Sequence, residues 1–378
     1  MTGQQAGERY DTVVIGGGQA GLAVGHHLAR ARRSFVILDA QRRVGDAWRS
    51  RWDGLRLFTA ARYDGLPGMP FPAPPDAFPT KDEAADYLET YAAEMRLPVE
   101  TGIRVDGVWP SERGDGFRIA AGGDHLAAAR VVVATGAYSR PRVPAFATEL
   151  DPEIRQLHSS EYRNASQLRD GPVLVVGASN SGAEVAMTTA GGHRTVLSGP
   201  DKGTMPVRPE SRLARVFDIG FWFFINHVAT LDNPLGRKAL PMVRDHGGPL
   251  ERVWPADLEA AGVERITQRM VGVRDGRPVL ADGRVLDVAN VIWCTGFRPD
   301  FGWIRHPDVV DADGWPLHVR GISTTVPGLA FVGLPFLHSA ASALLGGVGR
   351  DARHVVDELA RGTRPVSAHL TPETTAVP

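Results

Sequence analysis

Thiol chemistry is nearly absent from this chain. A single cysteine, Cys294, occurs in 378 residues. One thiol excludes a disulfide framework, a Cys-x-x-Cys redox pair and a cysteine-based zinc cluster. An excess of charge is lacking as well. Lys and Arg number 42 against 43 Asp and Glu, a net of −1. That balance argues against a polyanion-binding surface such as nucleic acid requires, though local charged sites remain open. No apolar run reaches the length of a membrane span. Met1 to Tyr10 is polar and has no apolar signal core. The expectation is a soluble, cytoplasmic protein that does not engage membranes. Length favours two domains, or one large domain and one inserted.

What the chain does have begins at Asp11-Thr-Val-Val-Ile-Gly-Gly-Gly-Gln-Ala-Gly21. Val13 to Ile15 reads as a buried parallel strand, and Gly16, Gly18 and Gly21 follow it as G-x-G-x-x-G. The first glycine makes the turn, the second lets backbone approach a pyrophosphate, and the third lets the new helix pack close. That helix, about Ala20 to Ala31, points its first amides at phosphate. A second apolar run, Ser34 to Leu38, ends in Asp39, placed to bind a ribose hydroxyl. The acid favours an unphosphorylated ribose, as in FAD or NAD.

Val44-Gly-Asp-Ala-Trp48 and Leu55-Arg-Leu-Phe-Thr59 follow, then a Pro/Gly-rich stretch, Pro67 to Pro79, of the kind that wraps a site. Thr80-Lys-Asp-Glu83 is a capping box for a helix to about Met95, which puts Lys81 on first-turn surface. Val99 to Val108 reads as one strand. Val131 to Gly136 is a further buried strand, and Arg140 to Pro144 reads as a linker.

The order of elements then repeats. Pro172 to Gly182 is again strand, glycine turn and helix start, and Thr195 to Ser198 is the next strand. Asp282-Gly283 lies between apolar residues as a hairpin signal. Val291 to Gly296 copies Val131 to Gly136. Two such units mean two nucleotide-binding domains. Gly328 to Gly333 is expected to rejoin the first, with a helix broken near Gly346-Gly347 inside Ser339 to Leu359, and a loose tail after Gly362. The second turn keeps Gly177 and Gly182 but has Ser179 in the middle, and no acid ends its second strand. Lys202 and Arg208 stand nearby, which suits the 2′-phosphate of NADPH, with NADH also open. Two dinucleotide sites in one chain imply hydride transfer from NAD(P)H to a flavin.

These residues resemble the class B flavin-containing monooxygenases, especially the small bacterial members and the plant YUCCA-type enzymes, over nearly the whole chain. Gly16 to Gly21 is similar to the family's FAD triplet, and Gly45-Asp-Ala-Trp48 to its G-G-x-W segment beside the flavin. Phe78-Pro-Thr-Lys81 is similar to its F/Y-P-T-K segment, and both Thr-Gly strands to its A-T-G motifs. Asn180-Ser-Gly182 resembles the end of the NADPH triplet, and Phe331-Val-Gly-Leu-Pro335 the terminal flavin-domain strand. His158 and Tyr162 fit the second half of the fingerprint F-x-G-x-x-x-H-x-x-x-Y/F, while Pro152 and Ile154 replace its phenylalanine and glycine. Thr59 stands where animal-type members carry an asparagine, and Tyr162 where a Baeyer–Villiger enzyme would more often show tryptophan.

The resemblance implies an α/β fold with two Rossmann-like domains, the NAD(P)H domain (156–298) inserted into the FAD domain (1–155 and 299–378). The FAD site would take Gly16, Gly18, Gln19, Ala20, Gly21, Asp39, Gly45, Asp46, Trp48, Leu57, Val105, Thr135 and Gly136. The NADPH site would take Gly177, Ser179, Asn180, Ser181, Gly182, Lys202 and Arg208. His158 is a linker hinge or an acid/base residue, and flavin oxygenation needs no side-chain nucleophile. The implied activity is an FAD- and NADPH-dependent monooxygenase. It would oxygenate a small nitrogen, sulfur or carbonyl substrate with O2 through a C4a-hydroperoxyflavin. The alternatives are a plain NAD(P)H-dependent flavin reductase or oxidase, and a non-catalytic nucleotide-binding sensor. No metal is implied, and the oligomeric state stays open, a homodimer included. The aromatic stretch Phe217 to His227 reads as core or pocket wall rather than a membrane-surface helix, having little basic flank.

Overall fold

Val14 packs into one apolar cluster, while its neighbours Val13 and Ile15 pack into another. A strand buried on both faces needs a parallel sheet with cover on each side. The computed structural model builds that sheet; it describes residues 9–111, 115–209, 211, 213–241 and 247–362. Strand β1 (Arg9–Ile15) leads through α1 (Gln19–Arg30) to β2 (Phe35–Asp39). A short α2 (Asp46–Arg49) and a longer α3 (Lys81–Glu94) precede β3 (Val99–Thr101), β4 (Val105–Pro110), β5 (Phe117–Ala121) and β6 (Asp124–Val133). β1 lies between β2 and β6, parallel to both.

A short linker strand, β7 (Arg140–Pro141), leaves this unit, and β8 (Arg155–His158) opens the next. There β9 (Val173–Val176), α4 (Asn180–Ala190) and β10 (Thr195–Ser198) repeat the opening motif. Then come α5 (Ala214–Phe223), α6 (Pro234–Pro241), α7 (Pro255–Ala260), β11 (Glu264–Ile266), β12 (Met270–Arg274), β13 (Arg277–Leu280) and β14 (Asn290–Trp293). The second sheet has the order β11-β10-β9-β14-β8, so β9 sits between β10 and β14 as β1 sits between β2 and β6. Linker β15 (Phe297–Arg298) pairs antiparallel with β7. The chain then returns through β16 (His318–Val319), β17 (Ile322–Ser323) and β18 (Leu329–Phe331) to α8 (Val348–Arg361). β18 pairs parallel with β6, so this segment completes the first sheet. The fold is therefore α/β with one dinucleotide-binding unit inserted into another.

Several sequence expectations need correction. Val99 to Val108 is two strands, β3 and β4, because the chain crosses from the end of β2 to the edge hairpin. The hairpin of the second unit turns at Asp275-Gly276, both at positive φ, and joins β12 to β13. Asp282-Gly283 closes only a tight turn with one bridge, Val279 to Val285. Residues 339–347 are turns, and helix begins only at Val348. Lys81 is buried rather than surface, at 7% exposed; its Nζ reaches Asp82 Oδ1 at 2.8 Å and Arg49 O at 3.3 Å. The tail after Gly362 lies outside the described residues.

The aromatic stretch is neither core nor enclosed wall on its outer face. Ile219, Phe223 and Phe224 are 58%, 60% and 42% exposed. Its inner face is docked on the first unit. Trp222 stacks on Tyr63 at 4.7 Å, and Arg350 donates to Asn226 O at 2.7 Å. Backbone bonds Leu231 N to His338 O and Ala340 N to Ala229 O complete this clasp. Sequence periodicity could not reveal it, since both faces of α5 carry large apolar residues.

The capping box at α3 forms as expected, with Thr80 Oγ1 accepting from Glu83 N at 3.2 Å and Thr80 N donating to Glu83 Oε2 at 2.7 Å. Thr80→Ala should cost about 1 kcal/mol of stability. The measurement is the urea midpoint of the FAD-loaded protein, and an unchanged midpoint would contradict the cap.

Candidate functional site: two glycine turns and the cleft between them

The first turn is built for a phosphate. Gly16 takes φ +110° and lies against the Ala134 carbonyl, so a side chain there is barred by conformation and by space. A Cβ on Gly21 would collide with the Gly16 carbonyl oxygen, which is how closely α1 returns over the turn. Gly18, by contrast, has nothing within 4 Å of its Cβ position, so its backbone is open to a ligand. No side chain caps α1. Its first amides are left for an anion. Gln19 holds the mouth of the turn by donating to Ala343 O at 3.4 Å.

Asp39 ends β2 beside this turn. Its Oδ2 accepts from Gly17 N at 3.1 Å and its Oδ1 from Gln41 N at 2.9 Å. Burial pushes its carboxyl upward, and the two backbone donors oppose that. Ala20 is buried, and Gly333 approaches it so closely that a Cβ there would lie 2.6 Å from the Ala20 methyl. Thr135 follows β6 beside Gly16, and Gly136 takes φ +71°. Gly45 has a packing role the motif did not suggest: a Cβ would lie 2.5 Å from Ala85 O, where α2 meets α3. Asp46 pairs with Arg49 at 3.3 Å, and Trp48 packs on the first core. Leu57 is buried and ties the wrapping stretch to Pro79 through its N–H. Val105 lies on the edge hairpin, paired with Ala121, two residues after Ile103, whose N–H bonds Asp39 O at 2.9 Å.

The second turn is similar in backbone. Gly177 takes φ +111°, and a Cβ on Gly182 would collide with the Gly177 carbonyl. Its side chains are already engaged. Ser179 Oγ donates to Gly248 O at 3.0 Å, and Asn180 bonds Pro249 O and Glu251 N at 3.0 and 2.9 Å. Ser181 is exposed. Lys202 is half-buried and has no ion pair among the described residues. Arg208 pairs with Asp257 at 3.1 Å and lies over the Trp254 ring at 4.6 Å, so a phosphate there would compete with a carboxylate.

The linkers carry His158. Its Nδ1 accepts from Ser160 N at 3.2 Å and meets Ser160 Oγ at 2.9 Å, while Nε2 meets Gly296 O at 3.0 Å. A carbonyl accepts only, so Nε2 carries the proton and the ring is neutral. Burial lowers its pKa, in keeping with that form. Nε2 ties one linker to the other through Gly296, while Nδ1 fixes the ring within its own segment through Ser160, which suits a hinge. Burial pushes the lone thiol, Cys294, up to about 12.

Sequence reasoning missed three acids. Asp64 is fully buried, accepts from Thr59 Oγ1 at 2.5 Å, and has its other oxygen unpartnered. Burial raises it to about 7. Glu184 and Glu251 flank the second turn, raised to about 7 and about 8 by burial, and for Glu251 also by its neighbour Glu184. Nothing in their local sequence marks them: Asp64 is covered within the first unit, beside Thr59 and Tyr87, and Glu184 lies beside Arg252 and, from the first unit, Trp52.

Paired glycine turns across linkers of this kind define a pyridine-nucleotide-linked flavoprotein oxidoreductase. A family model described as pyridine nucleotide-disulphide oxidoreductase matches residues 13–209. An uncharacterized CzcO-like oxidoreductase of Geobacillus kaustophilus is 37% identical over 349 residues, 92% of this chain and 98% of that one. The indole-3-pyruvate monooxygenase YUCCA4 of Oryza sativa is 32% identical over 394 residues, covering 92% and 86%. The solved flavin-containing monooxygenase of Stenotrophomonas maltophilia superposes with a TM-score of 0.73 at 29% identity, covering 94% of this chain and 99% of that one. The chain belongs to the class B flavin-containing monooxygenase family within those oxidoreductases. It is a flavin-dependent oxidoreductase. No helix among the described residues is long and apolar enough to cross a membrane.

Two outcomes are expected. Asp39→Ala removes a charge-assisted bond worth roughly 1.5–3 kcal/mol, so FAD affinity should fall about tenfold to a hundred-and-fiftyfold. Equilibrium dialysis of FAD checks this, and unchanged affinity would contradict it. Asp64 concerns pH. Its folded-state value lies above its unfolded value, so the folded protein keeps a proton that the unfolded chain loses. Stability must then fall as pH rises from the ordinary carboxylate range to about 7. Asp64→Asn should flatten that fall between pH 5 and pH 8 in thermal melts, and parallel slopes for both proteins would contradict the assignment.

Proposed function

We propose that the chain is an NADPH-dependent FAD monooxygenase that transfers one oxygen atom of O2 to a small nucleophilic nitrogen or sulfur, or to a carbonyl carbon. The reading rests most on one observation: two turns of the same build sit in one chain that carries a single thiol. With no disulfide pair and no cysteine cluster, reduced flavin has dioxygen or a small acceptor as its partner. The similarity to the rice and Stenotrophomonas monooxygenases supports the same direction.

The residues present fit the cofactors. The first turn offers open backbone at Gly18, uncapped amides of α1 and the Asp39 carboxylate to a flavin dinucleotide. We assign residues 1–155 and 299–378 to FAD and 156–298 to NADPH, with Gly177, Ser179, Asn180, Ser181 and Gly182 at its pyrophosphate. Lys202, without an ion pair among the described residues, is the better 2′-phosphate reader, and Arg208 must first exchange Asp257 for it. When bound, reduced FAD supplies the C4a-hydroperoxide chemistry of the family. The protein's part is to hold the two nucleotides in register and keep water out. His158 binds the linkers that set that register. The stretch Leu57 to Pro79 wraps the first unit, anchored by Phe71, which is buried and lies 4.7 Å from Tyr87. A flavin reductase or oxidase remains the second reading, since Pro152 and Ile154 replace half of the family fingerprint.

Stopped-flow mixing of NADPH-reduced enzyme with oxygen tests this. The blue-shifted absorbance of the C4a adduct should precede oxidised flavin, and Phe71→Gly should shorten that phase and raise peroxide release. Direct reoxidation with NADP+ and a panel of amines, sulfides and ketones present would favour the reductase or oxidase. For the nucleotide, Lys202→Ala should raise the KM for NADPH and leave that for NADH nearly unchanged; equal effects would remove Lys202 from the phosphate site.

A further inference from the structure

Arg51 is a half-buried cation with no counter-ion among the described residues. Its backbone N–H bonds Trp48 O at 2.9 Å. Its guanidinium makes no hydrogen bond or ion pair among the described residues. Arg49, two positions earlier, shows the ordinary alternative: it bonds Asp46, Asp86 and Glu89. The groups facing Arg51 are Tyr138, Arg163 and His158, and none is an acid. Arg163 turns its own Nη1 to the carbonyls of Ser160 and Tyr162. His158 is neutral and has both nitrogens engaged. Burial and the like charge of Arg163 both push the Arg51 pKa down. A guanidinium keeps its charge in any protein, so an unfilled fork in a partly dehydrated place favours a planar oxyanion.

The surroundings also suit an apolar body beside that anion. The guanidinium carbon of Arg51 lies 5.8 Å from the centre of the Phe297 ring. Tyr138 meets the same ring edge-on at 5.5 Å and is 59% exposed.

Position in the sheet selects among anions. In the order β11-β10-β9-β14-β8, the end of β10, where a 2′-phosphate would lie, is on one side of β9. Phe297 follows β14 and His158 ends β8, on the other side. A dinucleotide laid across the turn after β9 has its adenosine toward β10 and its reacting end toward β14. The pyrophosphates have their own glycine turns. Arg51 therefore faces the reacting end, where a third molecule must approach.

We propose that Arg51 is the carboxylate-binding residue of the substrate pocket, and that the substrates are small acids carrying an apolar or aromatic group. The word substrate rests on the monooxygenase reading above; the anion site itself does not. A nucleotide phosphate is the competing source of the same chemistry.

The test is binding to oxidised, FAD-loaded enzyme, measured by equilibrium dialysis of phenylacetate and phenylacetamide and by the change each makes in flavin absorbance. Phenylacetate should bind about tenfold tighter or more, the span of a charge-assisted bond. Arg51→Gln should erase the difference with FAD content intact, and Arg51→Lys should restore part of it. Equal binding of acid and amide, or no binding of either, overturns the proposal. So does an Arg51→Gln variant that binds phenylacetate normally but loses NADP+ affinity, because the anion would then be the nucleotide's phosphate. If the acid binds as expected and stopped-flow shows no oxygen adduct, the anion site stands and the monooxygenase reading falls.

Discussion

A helix can aim its amides at a phosphate only if it starts hard against the strand it leaves. In this chain that constraint is met twice by the same contact. The carbonyl of Gly16 occupies the space where Gly21 would carry a side chain, and the carbonyl of Gly177 does the same at Gly182. Each contact sets where its helix begins, and hence where a pyrophosphate can rest. The strands beside each turn are parallel and buried on both faces, so neither turn has room to shift.

Two such turns are useful together only if their units are held in register. The link is small: β7 against β15, and His158 bonded to Gly296 across them. A second tie comes from the segment around α5, which belongs to the inserted unit by sequence but docks through Trp222, Asn226 and Leu231 on the first. Hydride transfer between two bound nucleotides needs this kind of double attachment, because a reacting distance near van der Waals contact tolerates little play.

The parts legible in the sequence were those fixed by local chemistry. A glycine at positive φ, an acid at a strand end and a Thr-x-x-Glu cap each act within a few residues of themselves, and so the turn at Gly16, the place of Asp39 at the end of β2 and the cap at Thr80 were legible. Features created by one unit packing on the other did not show. Arg51, beside Phe297 and Arg163, looks like an ordinary loop charge, and the aromatic stretch gave no sign that one of its faces stays open. Asp64 and Lys81 are hidden instead by contacts within the first unit, with Thr59, Arg49 and Asp82. Ser179 and Asn180 were found by their motif, but their bonds to Gly248, Pro249 and Glu251 come from a loop some seventy residues on.

The central claim is that the two turns divide the labour, the first holding FAD and the second presenting NADPH to it. Anaerobic reduction of bound flavin, followed by its absorbance, tests this in Gly182→Ala, which crowds the second turn alone. The account expects the variant to remain yellow and to be reduced by dithionite, while NADPH reduces it far more slowly than the parent protein. Unchanged reduction by NADPH, or loss of FAD from the variant, would contradict it.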